Sequence, residues 1–203
     1  MGLYEKVSST KYTIKRSRGG EILNFVQPIR DPDKIQEIKD ILKKHNERNY
    51  ILFVLGINIG LRVSDLVRIK VGDVKNKEHL IITEKKTGKS KRILITPQLK
   101  KDLKDYIKYK PDDEYIIKSR QGLNKPLSRF MVYRILKDTA KKCCLDEIGT
   151  HTLRKTFGYH FYREHKNVAL LMELFNHSSE RITLRYIGIN QDVLDKAMEN
   201  FKI

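Results

Sequence analysis

The stretch YILFVLGINIGLRVSDL, residues 50–66, carries the pattern that decides the fold. Residues 50–59 are apolar on nearly every face of a helix, which predicts a helix at the centre of a hydrophobic core. Gly60 interrupts this pattern immediately before Leu61 and Arg62. The sequence therefore predicts that Arg62 is delivered from the edge of the core.

The charge balance of the chain indicates a polyanionic partner. Its 203 residues include 42 Lys and Arg against 25 Asp and Glu, which gives a formal net charge of +17. Each cation that neutralises a phosphate releases a condensed counterion, so nucleic acid is the expected partner. Composition alone does not separate DNA from RNA, or a binding protein from an enzyme.

Composition also excludes several classes of protein. The longest uncharged stretch in the apolar part, residues 49–61, has 13 residues, whereas a membrane-spanning helix needs roughly 17 to 25. No signal peptide opens the chain, and its adjacent cysteines, Cys143 and Cys144, cannot form an ordinary long-range bridge. We therefore expect a reduced, cytoplasmic protein with no membrane contact.

The remaining pattern predicts a mainly α-helical domain with one small β-hairpin, an α+β fold. Residues 1–27 are basic with little apolar periodicity, which predicts an N-terminal arm ahead of a domain over residues 28–203. Strands are expected at residues 79–83 and 92–96, on either side of a basic turn that contains Gly88. Asp31, Ser128 and Thr150 are candidate helix caps. Helical spacing predicts helices near residues 31–45, 97–109, 128–142, 150–160, 168–175, 182–186 and 191–201.

Two arginines and a histidine have the chemistry that a phosphodiester requires. Attack on a phosphate gathers negative charge on its oxygens, and the planar guanidinium groups of Arg62 and Arg154 can each bind two such oxygens. Asp65 lies three positions after Arg62 and can orient it, although such a pair is also common as a plain surface ion pair. His151 shares a helix face with Arg154 and is a candidate base for a phenol, although a histidine taken alone is more often a capping or core residue.

Four segments in order resemble the tyrosine recombinases of the phage integrase family. They are GLRVSDL at residues 60–66, the turn around Lys86, HTLR at residues 151–154, and NHSS at residues 176–179 followed by a tyrosine nine positions after His177. The resemblance covers residues 29–203 and implies the catalytic-domain fold of that family. It also implies site-specific recombination of double-stranded DNA for integration, excision or dimer resolution, through a covalent 3′-phosphotyrosine and without a cofactor.

The resemblance assigns roles to the remaining candidate residues. It implies that Tyr186 is the nucleophile, that Lys86 is the general acid on the leaving 5′ oxygen, and that His177 is a second phosphate ligand. The sequence leaves other lysines of the turn open as the acid, and most such lysines only contact phosphates. We expect DNA contacts from Lys85, Lys89, Lys91 and Arg92. A zinc site among the histidines lacks familiar ligand spacing, so no metal is expected.

The chain departs from the family pattern at its N-terminus. Most members carry a helical core-binding domain before the catalytic one, whereas here only about 28 residues precede it. The chain is therefore expected to be a minimal recombinase or a fragment. Two other readings remain open, a noncatalytic DNA-binding protein on the same scaffold and a monomeric enzyme similar to type IB topoisomerases.

The C-terminal segment predicts an amphipathic helix with an apolar stripe. The stripe can fold back on its own domain, but the resemblance implies packing on a neighbouring protomer. We therefore expect a monomer in free solution and a tetramer on paired DNA sites. The stripe consists of Val193, Leu194, Ala197, Met198 and Phe201.

Overall fold

A computed structural model describes residues 26–199 and 201 of the chain. Its described part is mostly helical and holds one antiparallel pair of strands, so the predicted fold class is confirmed. None of its helices is long and apolar enough to cross a membrane. The elements are α1 (Pro32–His45), α2 (Glu47–Ile59), α3 (Val63–Leu66), a 3₁₀ turn (Val71–Asp73), β1 (His79–Thr83), β2 (Ser90–Leu94), α4 (Pro97–Ile107), α5 (Arg129–Lys142), α6 (Thr152–His165), α7 (Val168–Phe175), α8 (Glu180–Ile187) and α9 (Ile189–Glu199).

Helix α2 is the central helix of the core, as the sequence predicts. Its residues from Ile51 to Leu55 are almost completely buried, and α1, α4 and α6 pack against it. Gly60 ends α2 in the left-handed conformation, with a φ of 67°. A Cβ at this position would lie 2.3 Å from the Phe157 ring of α6, so only glycine lets the chain turn here. This turn places Arg62 at the start of α3.

The β-hairpin differs from the prediction in the bounds of its second strand. Strand β2 begins at Ser90, two residues before the expected start, and pairs with β1 so that Thr83 faces Ser90. The early start follows from the turn, since Glu84 N–H donates to the Lys89 carbonyl at 2.9 Å. Thr96 accepts from Leu99 N–H and caps α4, so it belongs to the helix and not to the strand. The hairpin therefore presents a turn at residues 84–89.

The start of helix α6 also differs from the prediction. Thr150 does not cap it, because α6 begins at Thr152 with His151 in the capping position and no side-chain cap bond there. The hydroxyl of Thr152 instead accepts from Gly149 N–H at 3.0 Å. The His151 side chain is consequently left for other contacts.

Residues 1–25 of the predicted N-terminal arm lie outside the described residues, but its last two residues are attached to the body. Gln27 N–H donates to the Glu147 carbonyl, and Lys155 of α6 donates to the Val26 carbonyl at 2.7 Å. Next to them, Ile29 N–H donates to the Thr156 hydroxyl. The segment at residues 26–29 thus lies along α6.

Candidate active site

Tyr186 lies near the end of α8, where two local signals fix the helix. Ser179 accepts from Ile182 N–H at its start, and Gly188 ends it with a φ of 84°. The Tyr186 ring lies edge-on to Phe175 and His177, with ring centroids 5.6 and 5.2 Å away. The helix thus holds the phenol in an aromatic cluster formed by α7, α8 and the turn between them.

The hydroxyl of Tyr186 meets the ring of His151. The two atoms, Tyr186 Oη and His151 Nδ1, are 3.2 Å apart although 35 residues separate them. Burial raises the pKa of the Tyr186 phenol, while the charges of Arg154 and Arg62 oppose that rise. The phenol therefore needs a base before it can act as a nucleophile.

The surroundings of His151 suit it to that task. Partial burial of the ring and the positive charges of Arg129, Lys155, Arg154 and Arg62 lower the pKa of His151. The imidazole is consequently neutral at pH 7 and can accept the phenol proton.

Arg154 is a buried cation that joins three parts of the site. Its Nη1 donates to the Gly60 carbonyl at 2.8 Å, and its Nη2 donates to the Phe175 carbonyl at 3.0 Å. The guanidinium also lies over the Phe175 ring, 4.2 Å from its centroid. Each Nη atom keeps a second N–H that neither carbonyl uses.

Arg62 is paired with Glu84 and not with Asp65, which corrects the expected Asp65 contact. Arg62 Nη1 lies 2.8 Å from Glu84 Oε1. Asp65 is fully buried, and its Oδ1 accepts from Lys85 N–H at 2.9 Å, with Arg68 at 3.9 Å. Asp65 therefore anchors the backbone at the start of the hairpin turn, because its carboxylate faces that strand end.

Lys86 lies at the edge of a cleft beside the tyrosine–histidine pair. The side chain is exposed in the hairpin turn, and the flexible stem of a lysine there can reach the backbone of a bound nucleic acid. The cleft has a volume of about 230 Å³, and its lining also includes Arg62, Ser64, Arg129, Thr150 and His151. The structure thus brings Lys86, His151 and two arginines to a single opening.

The four predicted DNA-contact residues divide into two groups. Lys85, Lys89 and Arg92 are exposed on the hairpin, as a DNA contact requires. Lys91 is not exposed in this way, because its ammonium points inward. It lies 3.3 Å from Glu84 Oε1 and also donates to the Leu174 carbonyl. Lys91 is therefore part of the interior of the site, which corrects its assignment as a surface contact.

His177 lies in the turn between α7 and α8 and is held by Thr183. Burial and the charges of Arg154, Arg62 and Lys91 lower the pKa of His177 to about 4, so the ring is neutral. Thr183 donates to the Ser179 carbonyl, so His177 Nδ1 is the donor in the 3.1 Å contact to Thr183 Oγ1. In this tautomer His177 Nε2 carries no hydrogen, so it becomes a donor only by taking up a proton.

Sequence reasoning assigned no role to Glu84, Asn176 or Thr183. Glu84 has a signal in the sequence, since it is the sole acidic residue between positions 79 and 101. It stands in a run of lysines, where an isolated carboxylate is unexpected on a DNA-binding turn. The roles of Asn176 and Thr183 follow only from contacts in the fold. Within residues 26–199 and 201 no three His, Cys, Asp or Glu residues cluster as metal ligands would.

A mostly helical domain that surrounds a tyrosine hydroxyl with two arginines and two histidines defines a class, the tyrosine-type recombinases and integrases, which break and rejoin DNA. The chain belongs to the Phage integrase family, whose model matches residues 30–192. It is 50% identical over 179 residues to the probable integrase/recombinase YoeC of Bacillus subtilis strain 168, which covers 88% of this chain and 98% of that protein.

More distant relatives share the fold over longer proteins. Tyrosine recombinase XerA of Pyrococcus furiosus is 26% identical over 97% of this chain and 69% of its own length. A crystal structure of XerA recombinase matches with a TM-score of 0.68 at 18% identity, over 88% of this chain and 66% of that one. The structure of a lambda integrase (75–356) dimer bound to a COC' core site matches with a TM-score of 0.62 at 23% identity. The match covers 76% of this chain and 57% of that one. The chain thus spans about half to two thirds of these two solved chains.

Proposed function

We propose that this chain cleaves DNA by attack of Tyr186 on a phosphodiester. The observation that carries the proposal is the 3.2 Å contact between the Tyr186 hydroxyl and the neutral ring of His151, at a cleft lined by cations. His151 takes the phenol proton as the bond from Tyr186 Oη to phosphorus forms. The bond from phosphorus to the 5′ oxygen breaks, and Lys86 supplies the proton that this leaving oxygen needs.

Two arginines and a histidine stabilise the charge that develops in this step. Arg62 and Arg154 lie close enough to Tyr186 for their charges to oppose the rise in its pKa that burial causes, and each has N–H groups that can donate to a phosphoryl oxygen. The His177 ring lies 5.2 Å from that of Tyr186 and becomes a donor to the phosphate by taking up a proton at Nε2. The product is a 3′-phosphotyrosine, which keeps the energy of the broken ester. A 5′-hydroxyl from a second DNA end then rejoins the strand by the reverse reaction, so strand exchange needs no ATP.

The first prediction is that cleavage proceeds in excess EDTA. Two arginines, a lysine and two histidines already supply the charge and the proton transfers that a metal would otherwise provide. The measurement uses a DNA duplex with a nick near the cleavage position. The short fragment between the cleaved bond and the nick, which carries the new 5′-hydroxyl, then diffuses away, and the covalent adduct accumulates. A control reaction contains magnesium and no EDTA. Loss of the adduct in EDTA and its return with added magnesium would contradict the mechanism.

The same reaction separates the competing functions. DNA binding without an adduct would indicate a noncatalytic DNA-binding protein. An adduct together with relaxation of supercoiled DNA by the monomer, and no exchange between paired sites, would indicate an enzyme similar to type IB topoisomerases. Because the proposed substrate is DNA, we also propose a cytoplasmic location.

We also propose that α9 joins protomers when DNA sites are paired. The apolar stripe is unpacked, since Val193, Leu194 and Met198 of α9 and Phe201 just beyond its end are between 59% and 68% exposed. The helix is held at its base by the Arg30–Asp192 ion pair at 2.8 Å. One solved relative is a lambda integrase tetramer bound to a Holliday junction. A helix of this length buries too little surface to hold protomers together alone, so we expect a free monomer.

The second prediction is that removal of residues 191–203 abolishes assembly but not binding to a single site. The deletion removes the exposed stripe and leaves the cleft intact, so the affinity for one site should change less than threefold. Sedimentation on DNA with paired sites measures the loss of tetramers, and a recombination assay measures the loss of exchange. Glu199→Ala, on the opposite face of α9, is the matched control and should behave as the wild type. Tetramers formed by the truncated protein would refute the proposed role of α9.

A further inference from the structure

Glu84 is a fully buried carboxylate at the centre of the candidate active site. Its Oε1 lies 2.8 Å from Arg62 Nη1, 3.3 Å from Lys91 Nζ and 3.9 Å from Arg154 Nη1. Its Oε2 accepts from the Thr87 hydroxyl at 2.8 Å and from Asn176 Nδ2 at 2.9 Å. One side chain thus contacts three cations, the hairpin turn and the residue that ends α7.

The backbone of Glu84 also closes the turn that carries Lys86. Its N–H donates to the Lys89 carbonyl, and its carbonyl accepts from Gly88 N–H, both at 2.9 Å. The Thr87 hydroxyl bond adds a third tie between Glu84 and this turn. Any displacement of Glu84 therefore moves the turn together with the cations.

The charge of Glu84 is maintained in this position. Burial opposes its ionisation, but the bond from Thr87, the charges of Lys91 and Arg62 and the bond from Asn176 outweigh burial and lower the pKa of Glu84. A buried carboxylate is costly unless it is paired and hydrogen-bonded, and here both of its oxygens are. The carboxylate also separates Arg62, Lys91 and Arg154, which would otherwise repel one another.

We propose that Glu84 is a positioning residue that sets Arg62 and the Lys86 turn in a fixed relation around the phosphate. The inference rests on the proposed function, because the group that it positions is the phosphate site of the cleavage reaction. Glu84 bears the same charge as DNA and does not bind it. Its effect is on the geometry of the cations, so it acts on the rate of cleavage more than on affinity.

Glu84→Gln tests this role because it keeps the size of the side chain and removes its charge. We expect the single-turnover rate of adduct formation to fall between tenfold and a hundredfold, the scale of a small displacement of reacting groups. The Kd for DNA should stay the same or decrease, since one negative charge near the phosphate is lost. Glu84→Asp keeps the charge and should recover part of the rate. Glu78→Gln, at the exposed base of the same hairpin, is the matched control and should match the wild type.

The outcomes separate this inference from the proposed function. No adduct from the wild type would refute the proposed function itself. An adduct formed by the wild type and by Glu84→Gln at equal rates would refute only the positioning role, as would a Kd that rises in proportion to the loss of rate. If Glu84→Gln unfolds, Thr87→Val decides, because it removes the side-chain bond between the turn and Glu84 and keeps the two backbone bonds; its only other loss is the 3.4 Å contact from Lys89 N–H. A rate about tenfold lower with unchanged Kd is expected from Thr87→Val, and an unchanged rate would overturn the inference.

Discussion

Tyr186→Phe is expected to bind DNA as the wild type does and to form no covalent adduct. The substitution removes only the hydroxyl, and the ring keeps its edge-on contacts with Phe175 and His177. Loss of the contact to His151 should change the free energy of unfolding by about 1 kcal/mol or less. Gel shift on intact DNA measures binding, and denaturing electrophoresis of the nicked substrate measures the adduct.

The matched control for this variant is Tyr162→Phe. Like Tyr186, Tyr162 packs against the small buried cluster of Leu171, Phe175 and Ile187, but its position on α6 gives it no part in the proposed cleavage. The control should give wild-type adduct yields. Normal adduct from Tyr186→Phe would show that another residue is the nucleophile, and the assignment of the site would be lost.

Arg62→Ala is expected to lower the rate of cleavage by about a hundredfold or more. This corresponds to at least ~2.7 kcal/mol of transition-state stabilisation, the scale of removing one preorganised oxyanion donor. Glu84 keeps Lys91 as a partner at 3.3 Å, so the loss should be mainly in rate and not in folding. Single-turnover cleavage with saturating DNA measures it. A loss of rate smaller than tenfold would show that Arg62 is not part of the phosphate site.

Arg68→Ala is the control for a general effect of charge. Arg68 lies just after α3 and is 47% exposed, and its nearest acidic partner is Asp65 at 3.9 Å. Its removal should weaken DNA binding slightly and leave the rate unchanged.

Arg154→Ala should also lose at least ~2.7 kcal/mol of transition-state stabilisation. It should additionally destabilise the fold, because the Gly60 and Phe175 carbonyls each lose a buried donor.

The sequence predicts those parts of the fold that depend on local pattern. The apolar run of α2 and the glycine that ends it specify a helix and its end through neighbouring residues alone. The start of α6 was predicted incorrectly because Thr150 and Thr152 are both acceptable caps by residue type. Only the packed structure shows that Thr152 bonds Gly149 N–H and leaves His151 in the capping position.

The contacts within the site could not be predicted from local pattern. Arg62 has an aspartate three positions away, which favours a local pair, yet its partner is Glu84, 22 positions along the chain. The same long-range contact turns Lys91 inward, whereas its neighbours in sequence remain exposed. Such choices depend on which strand end meets which helix, and spacing along one element contains no information about that.

The most direct test of the proposed chemistry is to identify the residue joined to DNA. The wild-type protein is reacted with the nicked duplex in EDTA and digested with trypsin, and the DNA-linked peptide is sequenced by mass spectrometry. The expected result is a single modified peptide with a 3′-phosphate linked to Tyr186. A linkage at any other residue, or binding of the duplex with no linkage at all, would contradict the assignment of Tyr186 as the nucleophile.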